Sequence, residues 1–448
     1  MAKLFGTDGA RGVANTELTC DIAFKLGQAA VALFGKTVVV GKDTRLSGDM
    51  LEASLGAGIM SLGGTVLACG IIPTPGVALL ARELHADCGI VISASHNPPE
   101  YNGIKFFDAQ GFKLSDEREA ELETFVAQGG AAASDLPSGD AVGVIVPVED
   151  ACELYIRHAI NTVAGENLPF DELKIALDAG HGASSLTTAR ALEELGAEVV
   201  VINDDFNGTD INVECGSTHL DPLKQLVTST GAQVGIAHDG DADRVMLVDA
   251  DGNEIDGDVV EAVCALDLKR RGLLEGNTVV STVMCNLGFT KCMEEAGIDV
   301  VQTNVGDKYV LAQLCEGGYS IGGEQSGHMI FLEHNSTGDG LITALQFLAA
   351  VLRQGVSVAE AASVMKHFPQ ELINVRVTDK HSVTKNPAVA SIIAAKNEEM
   401  AGSGRILVRP SGTEPLVRVM VEAPTHEVAH AVAQAIADVV EREMGLSE

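Results

Sequence analysis

Three times along this chain an apolar, β-branched run gives way to a polar loop, a helix-forming segment that closes on glycine, and a second β-branched run. Residues 37–75 contain TVVVG, DMLEASLGAGIMSLGG and TVLACGIIP; residues 173–203 contain LKIALDAGHG, SLTTARALEELGAE and VVVIN; residues 276–304 contain NTVVSTVMCNLG, FTKCMEEAGID and VVQTN. A helix that ends at glycine and returns to a β-branched run is the sequence form of a crossover between parallel strands. The pattern predicts an α/β chain with three similar mixed-sheet domains. Beyond about residue 367 the order changes to ELINVRV, a helical region to about 400, the strands GRILVRP and LVRVMVEA, and a last helix. In that helix Val428, Val432, Ile436 and Val439 form an apolar stripe and Thr425 is placed to cap it. These features predict a smaller α+β C-terminal domain. The expected domains are 1–150, 151–252, 253–366 and 367–448, where length alone suggests about three.

Charge narrows the partners. With 63 Asp and Glu against 30 Lys and Arg, the formal net charge of -33 repels nucleic acid and anionic membranes. An anionic substrate therefore needs a local basic pocket. No apolar stretch is long enough to cross a bilayer, and MAKLFGTDGARG lacks the regions of a secretory signal, so the chain reads as cytoplasmic. Nine scattered cysteines form no CxxC pair and read as small buried hydrophobes.

In DGDADR, residues 239–244, Asp239, Asp241 and Asp243 present carboxylates at alternate positions, suited to a hard cation such as Mg²⁺. An EF-hand counted from Asp239 needs Gly and Glu where Arg244 and Ala250 stand, so that reading fails. A solvated acidic turn fits DADGN at 249–253, a hairpin connection, better than it fits 239–244, where three adjacent carboxylates without a cation repel one another. In ISASHNPPEYNGIKFF, residues 92–107, Ser95 follows an apolar run and should occupy a turn at a strand end, where α/β proteins often bind ligands. The competing reading gives Ser93, Ser95 and Asn97 only turn and cap hydrogen bonds.

Several motif matches fail on context. GYSIG at 318–322 lacks the strand and helix of a nucleophile elbow. AVALFGKT at 30–37 has Ala30 where a phosphate-binding loop needs Gly, and GHGASS at 180–185 lacks the third Gly of a dinucleotide site. RPSGTEPLVR at 409–418, by contrast, gathers Arg409, Ser411, Gly412, Thr413 and Arg418, an assembly suited to phosphate. Convergence of Arg11, Lys42, Arg45, Lys105, Arg244, Arg409 and Arg418 would make the required basic pocket.

The four segments SASHNP, DGDADR, GGEQSGH and RPSGTEP appear in the order of the motifs of the α-D-phosphohexomutases, and the chain resembles that family over essentially its whole length. The resemblance implies four domains around a central cleft, Ser95 as phosphoserine and, with Asp239, Asp241 and Asp243, a ligand of one Mg²⁺. It implies sugar recognition by Glu324 and Ser326, and phosphate binding by Arg409, Ser411, Gly412, Thr413 and Arg418. Arg11, Lys105 and Arg244 are expected to balance charge on the moving phosphoryl group. His96, His328 or Lys105 is expected to handle the hydroxyl proton. Ser93, CGSTH at 215–219, Gln325 and PQELINVRV at 369–377 are most similar to the branch that interconverts glucosamine 6-phosphate and glucosamine 1-phosphate, feeding UDP-N-acetylglucosamine and cell-wall synthesis. NVGDK at 304–308 departs from the His-containing loop of mannose and glucose relatives and leaves Lys308 without an assigned role. A sugar 1,6-bisphosphate is expected as priming activator, and a homodimer as the assembly. Alternatives are a phosphomannomutase or phosphoglucomutase, or a catalytically silent phosphosugar sensor.

Overall fold

The computed structural model describes residues 4–6, 8–400, 402–411 and 414–446. It resolves into two compact units, Met1–Met284 with Ile298–Val364, and Cys285–Gly297 with Met365–Glu448.

The first unit holds three sheets. In the first, β1 (Ala10–Val13), β2 (Thr37–Lys42), β3 (Thr65–Ile71), β4 (Cys88–Ile92), β5 (Tyr101–Asp108) and β6 (Ile145–Pro147) lie in the order β1-β5-β4-β2-β3-β6. The β-branched runs form its parallel centre, and β5 is antiparallel to both β1 and β4. Helices α1 (Cys20–Leu33), α2 (Gly48–Ser61), α3 (Thr74–Glu83) and α4 (Asp116–Ala127) cover it. Val38, Val40, Ile90 and Ile92 pack with Leu26, Leu51, Leu55 and Ile59 in one buried core. Two glycines set the approach of α1 to α2, since a Cβ on Gly27 would lie 2.1 Å from the Leu55 carbonyl and one on Gly58 2.0 Å from that of Phe24.

The second sheet is formed by β7 (Lys174–Asp178), β8 (Glu198–Ile202), β9 (Val234–His238), β10 (Val245–Asp249) and β11 (Glu254–Ile255), in the order β11-β10-β9-β7-β8. Its helices are α5 (Ala151–Asn161), α6 (Thr188–Glu194) and α7 (Asp221–Thr230). The turn at 249–253 joins β10 to β11 as an antiparallel hairpin, with the Asp249 carboxylate accepting from the amides of Asp251 and Asn253. The third sheet, ordered β13-β12-β14-β15, contains β12 (Thr278–Thr282), β13 (Asp299–Thr303), β14 (Ile321–Gly323) and β15 (Met329–Phe331). The third segment of chain also contributes α8 (Gly257–Arg271), α9 (Leu287–Glu295), α10 (Asp307–Gly317), α11 (Gly340–Gln354) and α12 (Val358–Ala362).

All three repeats are parallel crossovers: β2 to β3, β7 to β8 and β12 to β13. The third departs in one respect. Its helix α9 lies in Cys285–Gly297, which belongs to the second unit.

In the second unit β16 (Gln370–Arg376), β17 (Arg405–Pro410) and β18 (Leu416–Glu422) make an antiparallel sheet, β16-β18-β17, with α13 (Pro387–Glu399) and α14 (His426–Met444). Glu422 accepts from the amide of Leu287, Asn286 donates to the Phe368 carbonyl, and Arg405 donates to that of Cys285. Thr425 caps α14 by accepting from the Val428 amide. Val432 and Ile436 lie in the core and Val439 packs against it as expected, whereas Val428 is 43% exposed and Ala429, Ala433, Ala437 and Val440 complete the buried face. Among the described residues, no helix is long and apolar enough to cross a membrane.

Candidate active site

Ser95 lies just beyond β4, wholly buried, with its backbone at φ +52°, a left-handed conformation that a side chain rarely adopts. Its hydroxyl donates to Asp239 Oδ2 at 2.6 Å. Asp239 leads the loop between β9 and β10, where Ala242 also has a positive φ of +54°. Gly240 permits the contact of the two loops, because a Cβ there would sit 2.8 Å from the Ser95 carbonyl oxygen. The serine segment and the three-aspartate segment, read as separate motifs, thus form one centre.

The three carboxylates each place an oxygen within 4.8 Å of the others. Asp241 Oδ2 is occupied by Thr74 Oγ1 at 2.6 Å and Lys105 Nζ at 2.9 Å. Asp241 Oδ1 and Asp243 Oδ1 are buried without hydrogen-bond partners. Burial and then the charges of Asp243 and Asp241 push the Asp239 carboxyl above its ordinary range. Two orphaned carboxylate oxygens and a third oxygen facing a serine hydroxyl fit a small divalent cation, which supplies the charge this cluster lacks.

Cations surround the cluster. Lys105, on β5, is 2% exposed and reaches Asp8 and Asp241 at 2.9 Å and Asp243 at 3.6 Å. Those carboxylates outweigh burial and raise its pKa, so the ammonium persists through the physiological range. Arg11, on β1, pairs with Asp8 and donates to Asn97 at 3.4 Å. Arg244 follows the third aspartate, with Nε 3.9 Å from Asp243. His96 Nδ1 is 3.3 Å from Ser95 Oγ, and burial together with Arg244 and Arg11 brings its pKa down to about 4. His328 Nδ1 is 3.7 Å from Asp243, an ion-pair distance too long for a hydrogen bond. Asp243 and Asp307 raise the His328 pKa against burial.

Asp8, Arg11, His96, Arg244, Glu324 and His328 line a cavity of about 250 Å³ beside the aspartates. Glu324 Oε1 accepts from the Gly306 amide at 3.0 Å, tying the 324–328 loop to the 304–308 loop. Ser326 is exposed and outside the lining. Gln325 donates to Asp256, the cap of α8.

Of the cations expected to converge, Arg11, Lys105 and Arg244 do so. Lys42 instead pairs with Asp49 and Glu52 on α2, and Arg45 is buried among backbone carbonyls. Lys308 pairs with Asp116 at 2.8 Å and lies over the Tyr309 ring, outside the cavity lining. In the second unit Arg409 and Arg418 are cross-strand neighbours on β17 and β18, and burial and Arg418 lower the Arg409 pKa. Ser411 is buried and its hydroxyl accepts from the Glu414 amide; Gly412 and Thr413 lie outside the described residues.

Thr74, Asp8, Lys113 and Asp307 were not singled out from sequence. Lys113 bridges Asp8, at 2.7 Å, and Asp307. Asp8 and Asp307 stood inside segments already noted, MAKLFGTDGARG and NVGDK, but their shared partner is visible only in three dimensions.

Family models of phosphoglucomutase/phosphomannomutase match in sequence: α/β/α domain I at 2–132, domain II at 153–252, domain III at 256–368 and the C-terminal domain at 372–439. Phosphoglucosamine mutase of Desulforamulus reducens is 50% identical over 98% of this chain and 99% of its own length. That of Carboxydothermus hydrogenoformans is 50% identical over 99% and 100%. A phosphoglucomutase/phosphomannomutase family protein from Burkholderia thailandensis shares the fold with a TM-score of 0.81 at 24% identity, over 98% of this chain and 97% of that one. N-acetylphosphoglucosamine mutase of Aspergillus fumigatus, solved with GlcNAc-6P and magnesium, has a TM-score of 0.69 at 18% identity, over 98% and 95%. Domain models that follow one another along the chain and full-length identity near one half agree: this chain belongs to the phosphoglucosamine mutase family of phosphohexomutases.

Proposed function

We propose that this chain interconverts glucosamine 6-phosphate and glucosamine 1-phosphate by way of phosphorylated Ser95 and a bound glucosamine 1,6-bisphosphate, in the cytoplasm and as a homodimer. The observation that carries the reading is the Ser95 hydroxyl at 2.6 Å from Asp239 within the buried three-aspartate cluster. Asp239, Asp241 and Asp243, with Ser95, would hold Mg²⁺, which when bound withdraws charge from phosphoryl oxygens.

Phosphoserine gives its phosphoryl group to the free sugar hydroxyl: the serine oxygen–phosphorus bond breaks as the sugar oxygen–phosphorus bond forms, and the hydroxyl proton leaves. The bisphosphate then presents its other phosphate, which returns to Ser95. Lys105, Arg11 and Arg244 set positive charge around that transfer, where phosphoryl chemistry depends on positioning and electrostatics. Lys105 is committed to three carboxylates, so the cavity-facing imidazoles of His96 and His328 are the groups that exchange the hydroxyl proton. Glu324 faces the sugar. On the second unit, Arg409 and Arg418 are cross-strand neighbours and would bind a phosphate bidentately.

The test is a coupled assay of purified protein with Mg²⁺ and a trace of hexose 1,6-bisphosphate, comparing glucosamine, mannose and glucose phosphates. Intact mass is measured in parallel, and light scattering gives the assembly. Highest kcat/KM for the amino sugar with a phosphate on Ser95 is expected. Preference for a neutral hexose overturns the substrate, and absence of both turnover and phosphoserine overturns the reaction.

A further inference from the structure

We propose that Arg45 is a positioning residue for phosphoryl transfer: it fixes the backbone of the 95–101 loop so that the Ser95 oxygen points at the aspartate cluster. This rests on the phosphoserine reading above.

Every donor of the Arg45 guanidinium has an acceptor. Nε donates to Asp43 Oδ2 at 2.9 Å, Nη1 to the carbonyls of Pro98 and Tyr101, and Nη2 to those of Ser95 at 2.9 Å and Asn97 at 2.8 Å. The side chain is wholly buried, so it serves no solvent-facing role. A planar fork of five N–H groups meets one carboxylate and four carbonyl oxygens, a set that lysine with three donors cannot satisfy.

A second grip acts on the amide of Ser95. Asp43 accepts from Ser93 Oγ at 2.6 Å, and Ser93 Oγ in turn accepts from the Ser95 amide at 2.9 Å. Asp43 and Arg45 therefore hold the Ser95 peptide from both sides, its amide through Ser93 and its carbonyl directly. The held residue is the strained one, with φ +52°, and a conformation of this kind persists where the surroundings over-determine it.

The clamp is anchored beyond its own sheet. Asn212, from the loop after β8, donates to the same two carbonyls as Nη2, those of Ser95 at 2.9 Å and Asn97 at 3.2 Å. Leu46 donates its amide to the Gly208 carbonyl and Thr44 its hydroxyl to that of His181, both in loops of the second sheet. The aspartate cluster belongs to that same sheet, so the clamp references the serine loop to its metal-binding partners.

The experiment uses Arg45→Lys and Asn212→Gly in the full-length enzyme; the second relieves a positive φ of +60° and leaves Arg45 in place. Each variant is phosphorylated with glucose 1,6-bisphosphate, and phosphoserine is counted by intact mass. Transfer to glucosamine 6-phosphate is followed in a single turnover, with thermal melting as a check of folding. A misplacement approaching 1 Å lowers such a rate by about 10- to 100-fold. For Arg45→Lys we expect a loss of that size per phosphorylated site, with KM changed less than about threefold, and a smaller loss of the same kind for Asn212→Gly. A purely structural residue would lower the folded or phosphorylated fraction and leave the rate per phosphorylated site intact. That result, or a KM rising in step with the loss, overturns the proposal. If Arg45→Lys fails to fold, an unchanged rate in Asn212→Gly overturns it alone. Absence of transfer in the wild-type enzyme refutes the reaction itself, and is read in the same assay before any variant.

Discussion

Thr74 offers a sharp test of the cation site, because it touches one aspartate without touching the cavity. Its hydroxyl donates to Asp241 Oδ2 at 2.6 Å, and its amide donates to the Asp241 carbonyl at 2.9 Å. Thr74→Val keeps the shape and the amide contact while deleting the hydroxyl. A hydrogen bond to a charged group contributes about 1.5–3 kcal/mol, and at about 1.4 kcal/mol per decade this corresponds to roughly a 10- to 100-fold change if the loss falls on cation binding. Residues that orient metal-ligating carboxylates show effects of the same size on substitution. The expected result is a 10- to 100-fold rise in the Mg²⁺ concentration giving half-maximal rate, with recovery of kcat at high Mg²⁺. The assay is a Mg²⁺ titration at saturating sugar phosphate, paired with calorimetry of Mg²⁺ binding. A half-saturating concentration within about twofold of wild type refutes the argument that Thr74 and Lys105 fill Oδ2 so that Oδ1 is left for the cation.

Ser95→Ala removes the carrier oxygen, so turnover should fall to background while the melting temperature stays near wild type; near-normal kcat in that variant ends the carrier assignment. Arg418, whose Nε is buried without a partner, should bind phosphate, and Arg418→Ala should raise KM by roughly 10-fold or more, so an unchanged KM removes it from the site. Glu261 on α8 is wholly buried, and burial with the neighbouring Asp258 holds its pKa well above the usual glutamate range. The folded state then keeps a proton the unfolded state releases near pH 4.3, so this group's contribution falls as pH rises above that value. Glu261→Gln should consequently gain stability relative to wild type at pH 8, with the gain shrinking toward pH 5. Melting curves at both pH values decide it, and a gain independent of pH contradicts the reasoning.

The repeated crossovers were legible because hydrophobic periodicity is local: β2, β7 and β12 lie on the runs read as strands, and the crossover helices α2, α6 and α9 overlap the intervening segments, with α2 and α9 starting one and two residues earlier. The placement of α9 in the second unit was not legible, since an amphipathic segment declares that it has an apolar face but not which unit receives it. The stripe of α14 was legible in Val432, Ile436 and Val439 but too narrow, since Ala429, Ala433 and Ala437 are buried on the same face without a branched side chain to mark it. In the site, Ser95 and the aspartates were legible as dense local motifs. Thr74 and Asp241 are 167 residues apart, and Lys113 and Asp307 are 194 apart, so no local pattern links either pair. Arg45 was read as part of a substrate-facing basic cluster, but sequence does not show whether a guanidinium meets phosphate or carbonyl oxygens.

The membership of α9 in the second unit alters what a fragment of this protein can be. The chain passes between units at three points, after Met284, after Gly297 and after Val364. A stop codon after Val364 would therefore not release a finished N-terminal piece. It would leave Cys285–Gly297 spliced into the shortened product, stripped of its hydrogen bonds to Glu422, Phe368 and Arg405. The C-terminal piece made alone would lack a helix that it draws from upstream. Swapping this module between relatives thus requires two grafts rather than one, and a single-junction chimera should be recovered as aggregate.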